Sequence, residues 1–173
     1  MASNDDLYEE AIAAYGAALG RLALGYDSDP DRRRDLLQDI HVQIWLSFRL
    51  FDGRCSLRTW VYRVAHNVAA SHLARTRRTS ARLVDLDVLE AEHGFVDGEA
   101  QANRQCSVSR LLELIHRLKP LDREIFLLYV EGEPAVVIAE VTGLSPANVA
   151  TKIQRIKKLL KRQSSEGAIH ARR

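Results

Sequence analysis

Two clusters of side chains in this sequence are suited to holding a polyanion. The first is Arg54, Arg58, Arg63, His66 and Asn67, with Trp60 and Tyr62 interleaved. Cations neutralise phosphates and release their counterions, while amide and aromatic groups suit unpaired bases, which bind by edge hydrogen bonds and stacking. Trp60 reads equally well as a stacking platform or as core, and core is favoured for its ring. The second cluster lies between Ala135 and Leu160. A helix-turn-helix needs a small residue where its helices cross, a Gly in the turn for positive φ, and an apolar residue that seats the second helix. Ala139, Gly143 and Val149 stand at those spacings, with Ile138, Leu144 and Ile153 completing a core. Ala147, Asn148, Thr151, Lys152, Arg155 and Lys158 are left facing outward, offering amide, hydroxyl and cationic groups for base edges and phosphates in a major groove.

The elements that must carry these clusters are helical. Leu7 to about Leu24 is Ala-rich, with apolar residues at loose helical spacing. Arg33 to Phe51 has a stronger stripe of Leu36, Leu37, Ile40, Ile44, Leu46 and Phe48, with Trp45 at its centre. Phe51–Ser56 is a loop by its Asp-Gly step, and a helix resumes from Thr59. In the second half, helices are expected over Ser107–Leu118, Leu121–Val130 and from Ala135 to Gly143. A last helix starts at Ser145-Pro146, with Ser as N-cap and Pro at the first turn, and runs to about Gln163. Residues 79–105 lack a sustained period and read as a flexible tether.

Charge follows the same division. The net charge of +2 conceals blocks of −5 over residues 1–53, +6 over 54–78, −5 over 79–103 and +7 over 151–173. Two basic patches are therefore separated by an acidic connector, as expected for a chain with two polyanion contacts. At 173 residues and 46% hydrophobic, the chain can bury a core, which argues against disorder. No apolar run approaches the roughly 18 residues of a membrane span, and acids at the N-terminus oppose a secretory signal, so a soluble, cytoplasmic protein is expected. Cys55 and Cys106 have no partner His at metal-ligand spacing, so no metal, disulfide framework or cofactor is expected. The histidines are scattered, and no phosphate loop or nucleophile elbow is present, so no catalytic residues are assigned.

The run DLLQDIHVQIWLSF, the loop FDGRCSLRTW, the helix TWVYRVAHNVAASHLARTRR and the block LKPLDREIFLLYVEGEPAVVIAEVTGLSPANVATKIQRIKKLLKR together resemble a bacterial RNA polymerase sigma factor of the extracytoplasmic-function group of the sigma-70 family. The resemblance implies an all-α chain of two small helical domains joined by a flexible acidic linker. Residues 1–78 correspond to region 2, residues 79–105 to the linker, residues 106–163 to region 4 and residues 164–173 to a tail. It implies that Asp35, Gln38 and Asp39 meet core RNA polymerase, whose β and β′ subunits are the expected partners. The loop before Arg58 would capture a flipped promoter base, with Arg54, Ser56, Arg58, Thr59, Arg63, His66, Asn67 and Ser71 contacting the melted minus-ten element. Ser145, Ala147, Asn148, Thr151, Lys152, Arg155 and Lys158 would read the minus-thirty-five element. A controlling anti-sigma factor is a further implied partner. Val137 stands where the family commonly has Glu, and Ala150 where it has Lys or Arg. The other reading of the residues is an autonomous helix-turn-helix regulator, which would bind palindromic duplex sites without polymerase. Cys55 reads as an unreactive small residue, its alternative being an oxidation-sensitive thiol.

Overall fold

The structure, a computed structural model, describes residues 3–83 and 101–170, with side chains over 3–76 and 108–162. Every regular element in these segments is helical: α1 (Asn4–Tyr26), α2 (Pro30–Ser47) followed by a 3₁₀ turn (Phe48–Leu50), α3 (Leu57–Leu83), α4 (Gln101–Arg117), α5 (Pro120–Val130), α6 (Ala135–Thr142) and α7 (Pro146–His170).

Local chemistry sets where these helices begin. Ser3 accepts from the Asp6 N–H while Asp6 reaches back to the Ser3 N–H, a reciprocal cap that opens α1. Asp29 accepts from the N–H groups of Asp31 and Arg32, with Pro30 in the first turn of α2. Helix α6 ends at Gly143, whose φ of 74° lets its N–H return to the Ala139 carbonyl.

Helices α1–α3 bury Leu19, Leu22, Leu36, Ile40, Ile44, Val61 and Ala65 against one another. Helices α4–α7 bury Ile115, Ile125, Leu128, Ile138, Val149 and Ile156. The chain thus folds as two all-helical units, and the second is laid against the first. Gly25 of α1 marks the closest approach: a Cβ there would lie 2.5 Å from a Leu127 methyl of α5.

Several boundaries differ from expectation. Helix α3 runs past residue 78 to Leu83 and α4 begins before 106 at Gln101, so helix enters both ends of the expected linker. TSARL and QANRQ contain no Pro or Gly to stop a helix, and loss of amphipathic period does not by itself end one. The middle of the linker lies outside the described residues. The expected tail is likewise helical as far as His170. In α2, Leu46 is 38% exposed rather than buried, and Trp45 is half-buried with its Nε1 donating to Asp5 at 2.8 Å. Both lie at the edge of the stripe centred on Ile40 and Ile44, where a three-helix contact no longer covers them.

Candidate nucleic-acid interface

In the first unit the loop before α3 is shaped by its own polar groups. Gly53 takes φ 74°, and Asp52 accepts from the Arg54 N–H at 3.1 Å and pairs with its guanidinium at 3.0 Å, leaving that side chain projecting into solvent. Ser56 then caps α3, accepting from the Thr59 N–H at 3.1 Å. Trp60 pins the loop to α2: its Nε1 donates to Ser47 Oγ at 2.8 Å and its ring lies 5.4 Å from that of Phe51. The indole is therefore partly buried packing and an anchor, in line with the core reading.

Above this loop opens a cleft of about 910 Å³, walled by Arg54, Cys55, Ser56, Thr59, Trp60 and Arg63 on one side and by Val137 and Glu140 of α6 on the other. Asn67 and Ser71 continue the row from Arg63 at helical spacing and are exposed, with the Ser71 hydroxyl donating to the Asn67 carbonyl at 2.9 Å.

Three residues expected on this face are not presented by it: Tyr62, at 3% exposed, Thr59 and His66. Thr59 is fully buried, its hydroxyl within 2.9 Å of Ser56 Oγ and donating to Glu140 at 3.0 Å. His66 is 1% exposed, turned inward where α1, α3 and α5 meet, with Nδ1 3.1 Å from the Tyr26 hydroxyl and 4.0 Å from a Glu124 oxygen. Burial pushes its pKa down to about 3, so the ring is neutral at physiological pH. In the described arrangement His66 serves packing, not contact with a nucleic acid. Sequence could not separate it from Asn67, because adjacent helix positions differ by only 100° and the second unit's placement decides which is covered.

The second unit presents α7 as the sequence implies. Ser145 Oγ accepts from the Asn148 N–H at 3.3 Å, and Ala147, Asn148, Thr151, Arg155 and Lys158 are exposed while Val149, Ile153 and Ile156 are buried. The cations are not free-standing. Lys152, half-buried, donates to one oxygen of Asp122 at 2.8 Å, and Arg155 donates to the other at 2.9 Å. Burial alone would raise the Asp122 pKa, but the bonds from Lys152 and the nearby charges outweigh it and hold the carboxyl below its usual range. Asp122 was not singled out from sequence, where nothing separates it from the charged Arg123 and Glu124 beside it.

On α2, Asp35, Gln38 and Asp39 are exposed, with Asp39 paired to Arg75 of α3 at 3.1 Å. The same face carries Val42, 47% exposed, and Leu46, and Leu50 continues it from the 3₁₀ turn at 77% exposed. An acidic row beside exposed apolar side chains has a composition that suits protein contact better than nucleic acid. Among the described residues no group of His, Cys, Asp and Glu is placed to hold a metal, and no helix is long and apolar enough to cross a membrane.

Comparison with known proteins agrees with both units. Residues 5–79 match sigma-70 region 2, and residues 109–160 match sigma-70 region 4. The chain is 26% identical over 151 residues to the "Probable RNA polymerase sigma factor RfaY" of Xanthomonas campestris, covering 86% of this chain but only 38% of that protein's length. It is 26% identical to the RNA polymerase sigma factor CnrH of Cupriavidus metallidurans, over 88% of this chain and 83% of that one. In structure it resembles CnrH in complex with the cytosolic domain of CnrY, with a TM-score of 0.67 at 21% identity over 92% of this chain and 88% of that one. It also resembles the sigma factor RpoE of Bartonella quintana in complex with the anti-sigma factor NepR, with a TM-score of 0.69 at 18% identity over 90% and 94%. Two family regions in their proper order, each on its own helical unit, place this chain in the sigma-70 family as a factor of the extracytoplasmic-function group.

Proposed function

We propose that this chain is a dissociable promoter-specificity subunit: it binds core RNA polymerase, directs it to two promoter elements and helps melt the start-proximal one. The observation that carries this reading is the row of polar and cationic side chains from the loop along α3, Arg54, Ser56, Arg63, Asn67 and Ser71, on a chain that also bears a separate helix-turn-helix. An autonomous duplex-binding regulator has no use for the first of these. A flipped base suits the loop's chemistry, with Arg54 and Ser56 as donors and Arg63, Asn67 and Ser71 farther along the strand path. Ser145, Ala147, Asn148, Thr151 and Lys158, with Arg155 and Lys152 steadied by Asp122, supply the duplex reader. The acid-and-apolar face of α2, containing Asp35, Gln38 and Asp39, is the docking surface for polymerase. The chain performs no chemistry itself and works in the cytoplasm, where polymerase and promoters are. CnrH and RpoE were each solved with a protein partner, one of them an anti-sigma factor, which supports control of this chain by such an inhibitor.

Run-off transcription with purified core polymerase on a library of promoter fragments tests the reading. Transcripts that require this protein support it. A discrete footprint on duplex DNA by the protein alone, with no transcripts, favours the autonomous regulator. Within a working holoenzyme, Arg155→Ala is expected to weaken closed-complex recruitment by about 1–3 kcal/mol, and Arg58→Ala and Asn67→Ala to impair strand opening. Permanganate footprinting separates the two. Recruitment left intact by Arg155→Ala while melting disappears reverses the assignment of the units.

A further inference from the structure

Asp122 stands in the first turn of α5, just after Pro120, where an acid suits the positive end of the helix dipole. It belongs to neither helix of the helix-turn-helix. Its side chain is 9% exposed, yet it gives one carboxylate oxygen to Lys152 of α7 at 2.8 Å and the other to Arg155 at 2.9 Å. Lys152 and Arg155 are three residues apart and share one face of α7 with Asn148 and Thr151.

The two cations keep most of their donors in this arrangement. A lysine ammonium has three N–H groups and Lys152 uses one on Asp122. A guanidinium has five, and Arg155 uses one from Nη2, which leaves a second pair of parallel N–H groups for a base edge or a phosphate. The Arg155 side chain is 67% exposed, so Asp122 anchors it from the buried side without hiding it.

Held in this way, the cations present their remaining donors in a fixed direction, which base-edge recognition requires. An unheld Arg or Lys samples many rotamers and settles on phosphates of any sequence. The carboxylate also cancels one of two neighbouring positive charges, which weakens the sequence-independent phosphate attraction. Both effects act on the difference between right and wrong sites rather than on affinity as such.

We propose that Asp122 is a specificity-determining residue of the minus-thirty-five reader: by holding Lys152 and Arg155 it lowers the affinity of α7 for arbitrary duplex while preserving it for the preferred sequence. Asp122 acts through the two cations and is a positioning residue. The inference rests on reading α7 as the duplex-binding helix.

The test measures discrimination, not binding alone. Wild-type holoenzyme, built from the full chain and core polymerase, selects its preferred sequence from promoter fragments randomised over the minus-thirty-five element. Fluorescence anisotropy then gives affinities for the selected fragment and for one with that element shuffled. Loss of a carboxylate acting only through its charge raises both affinities together and leaves their ratio unchanged. Asp122→Asn is instead expected to tighten binding of the shuffled fragment about threefold, to steepen its log–log salt dependence by about 1 and to weaken binding of the selected fragment, so that the ratio falls about tenfold. Asp122→Glu retains the charge and should keep the ratio within about twofold of wild type. Asp122→Ser removes the carboxylate with a smaller side chain and should repeat the Asn result, with circular dichroism verifying the fold of each variant. In a Lys152→Ala/Arg155→Ala background, Asp122→Asn should leave the ratio unchanged to within about twofold. A ratio unaltered by both Asp122→Asn and Asp122→Ser overturns the proposal, as does an equal loss in the background lacking both cations, or a wild type that prefers no minus-thirty-five sequence. If the free chain selects a duplex and shows the same Asp122 dependence while no holoenzyme forms, the Asp122 assignment stands and the sigma reading fails.

Discussion

Arg123→Leu is expected to destabilise the second helical unit by about 2 kcal/mol. Arg123 is 1% exposed, and its guanidinium lies at the C-terminal end of α4. Nε donates to the Ile115 carbonyl at 3.2 Å and Nη2 to that of His116. The Ile115 carbonyl also accepts from the Leu118 N–H at 3.0 Å, so the His116 carbonyl, at the helix end where the dipole favours a cation, depends most on Arg123. The cationic head also lies 5.6 Å from the Tyr26 ring centre, against the first unit. Leucine fills much of the volume but leaves the His116 carbonyl without this donor, at about 1–3 kcal/mol. Denaturant unfolding followed by circular dichroism checks this. A midpoint within experimental error of wild type refutes the capping role. Loss of the second unit should also abolish duplex recognition while leaving the α2 docking face intact.

Glu124→Gln should uncover a pH dependence that the native pair conceals. Glu124 and His66 face each other where α5 meets α3, with Tyr26 of α1 and the Arg123 guanidinium nearby. Burial raises the Glu124 pKa to about 7 and lowers that of His66 to about 3. Acidification from pH 6.5 to 5 therefore has two opposite effects. The unfolded chain gains a proton on His66 that the folded chain refuses, which lowers stability. The folded chain holds a proton on Glu124 that the unfolded chain has released, which raises it. Each amounts to about 2 kcal/mol over that interval, so they nearly cancel in the wild type. With Glu124→Gln only the His66 contribution remains, and stability should fall by about 2 kcal/mol more than in wild type between pH 6.5 and 5. Equal slopes for the two proteins in urea titrations at matched pH values exclude this account.

The helical class, the two-unit division and the helix-turn-helix were all present in the sequence, because each is a local property. Ser145-Pro146 starts a helix, Gly143 ends one, and the 3.6-residue apolar period that predicts Val149, Ile153 and Ile156 inward depends on no distant partner. The exposed row Ala147, Asn148, Thr151, Arg155 and Lys158 follows from that period alone. The same logic fails where burial is set by a remote element. Thr59 and His66 share the character of their exposed neighbours, yet α5 and α6 cover them; Leu46 has the character of core, yet nothing packs on it. Asp122 and Glu140 become meaningful only once folding brings them to Lys152, Arg155, Thr59 and Arg63, across 30 to 81 residues of chain. Sequence by itself determined which helices form and which faces are cationic, since capping and periodicity act within a few residues. Tertiary structure decided which of those cations are available, because an ion pair between units depends on how two surfaces dock, and no local pattern encodes that.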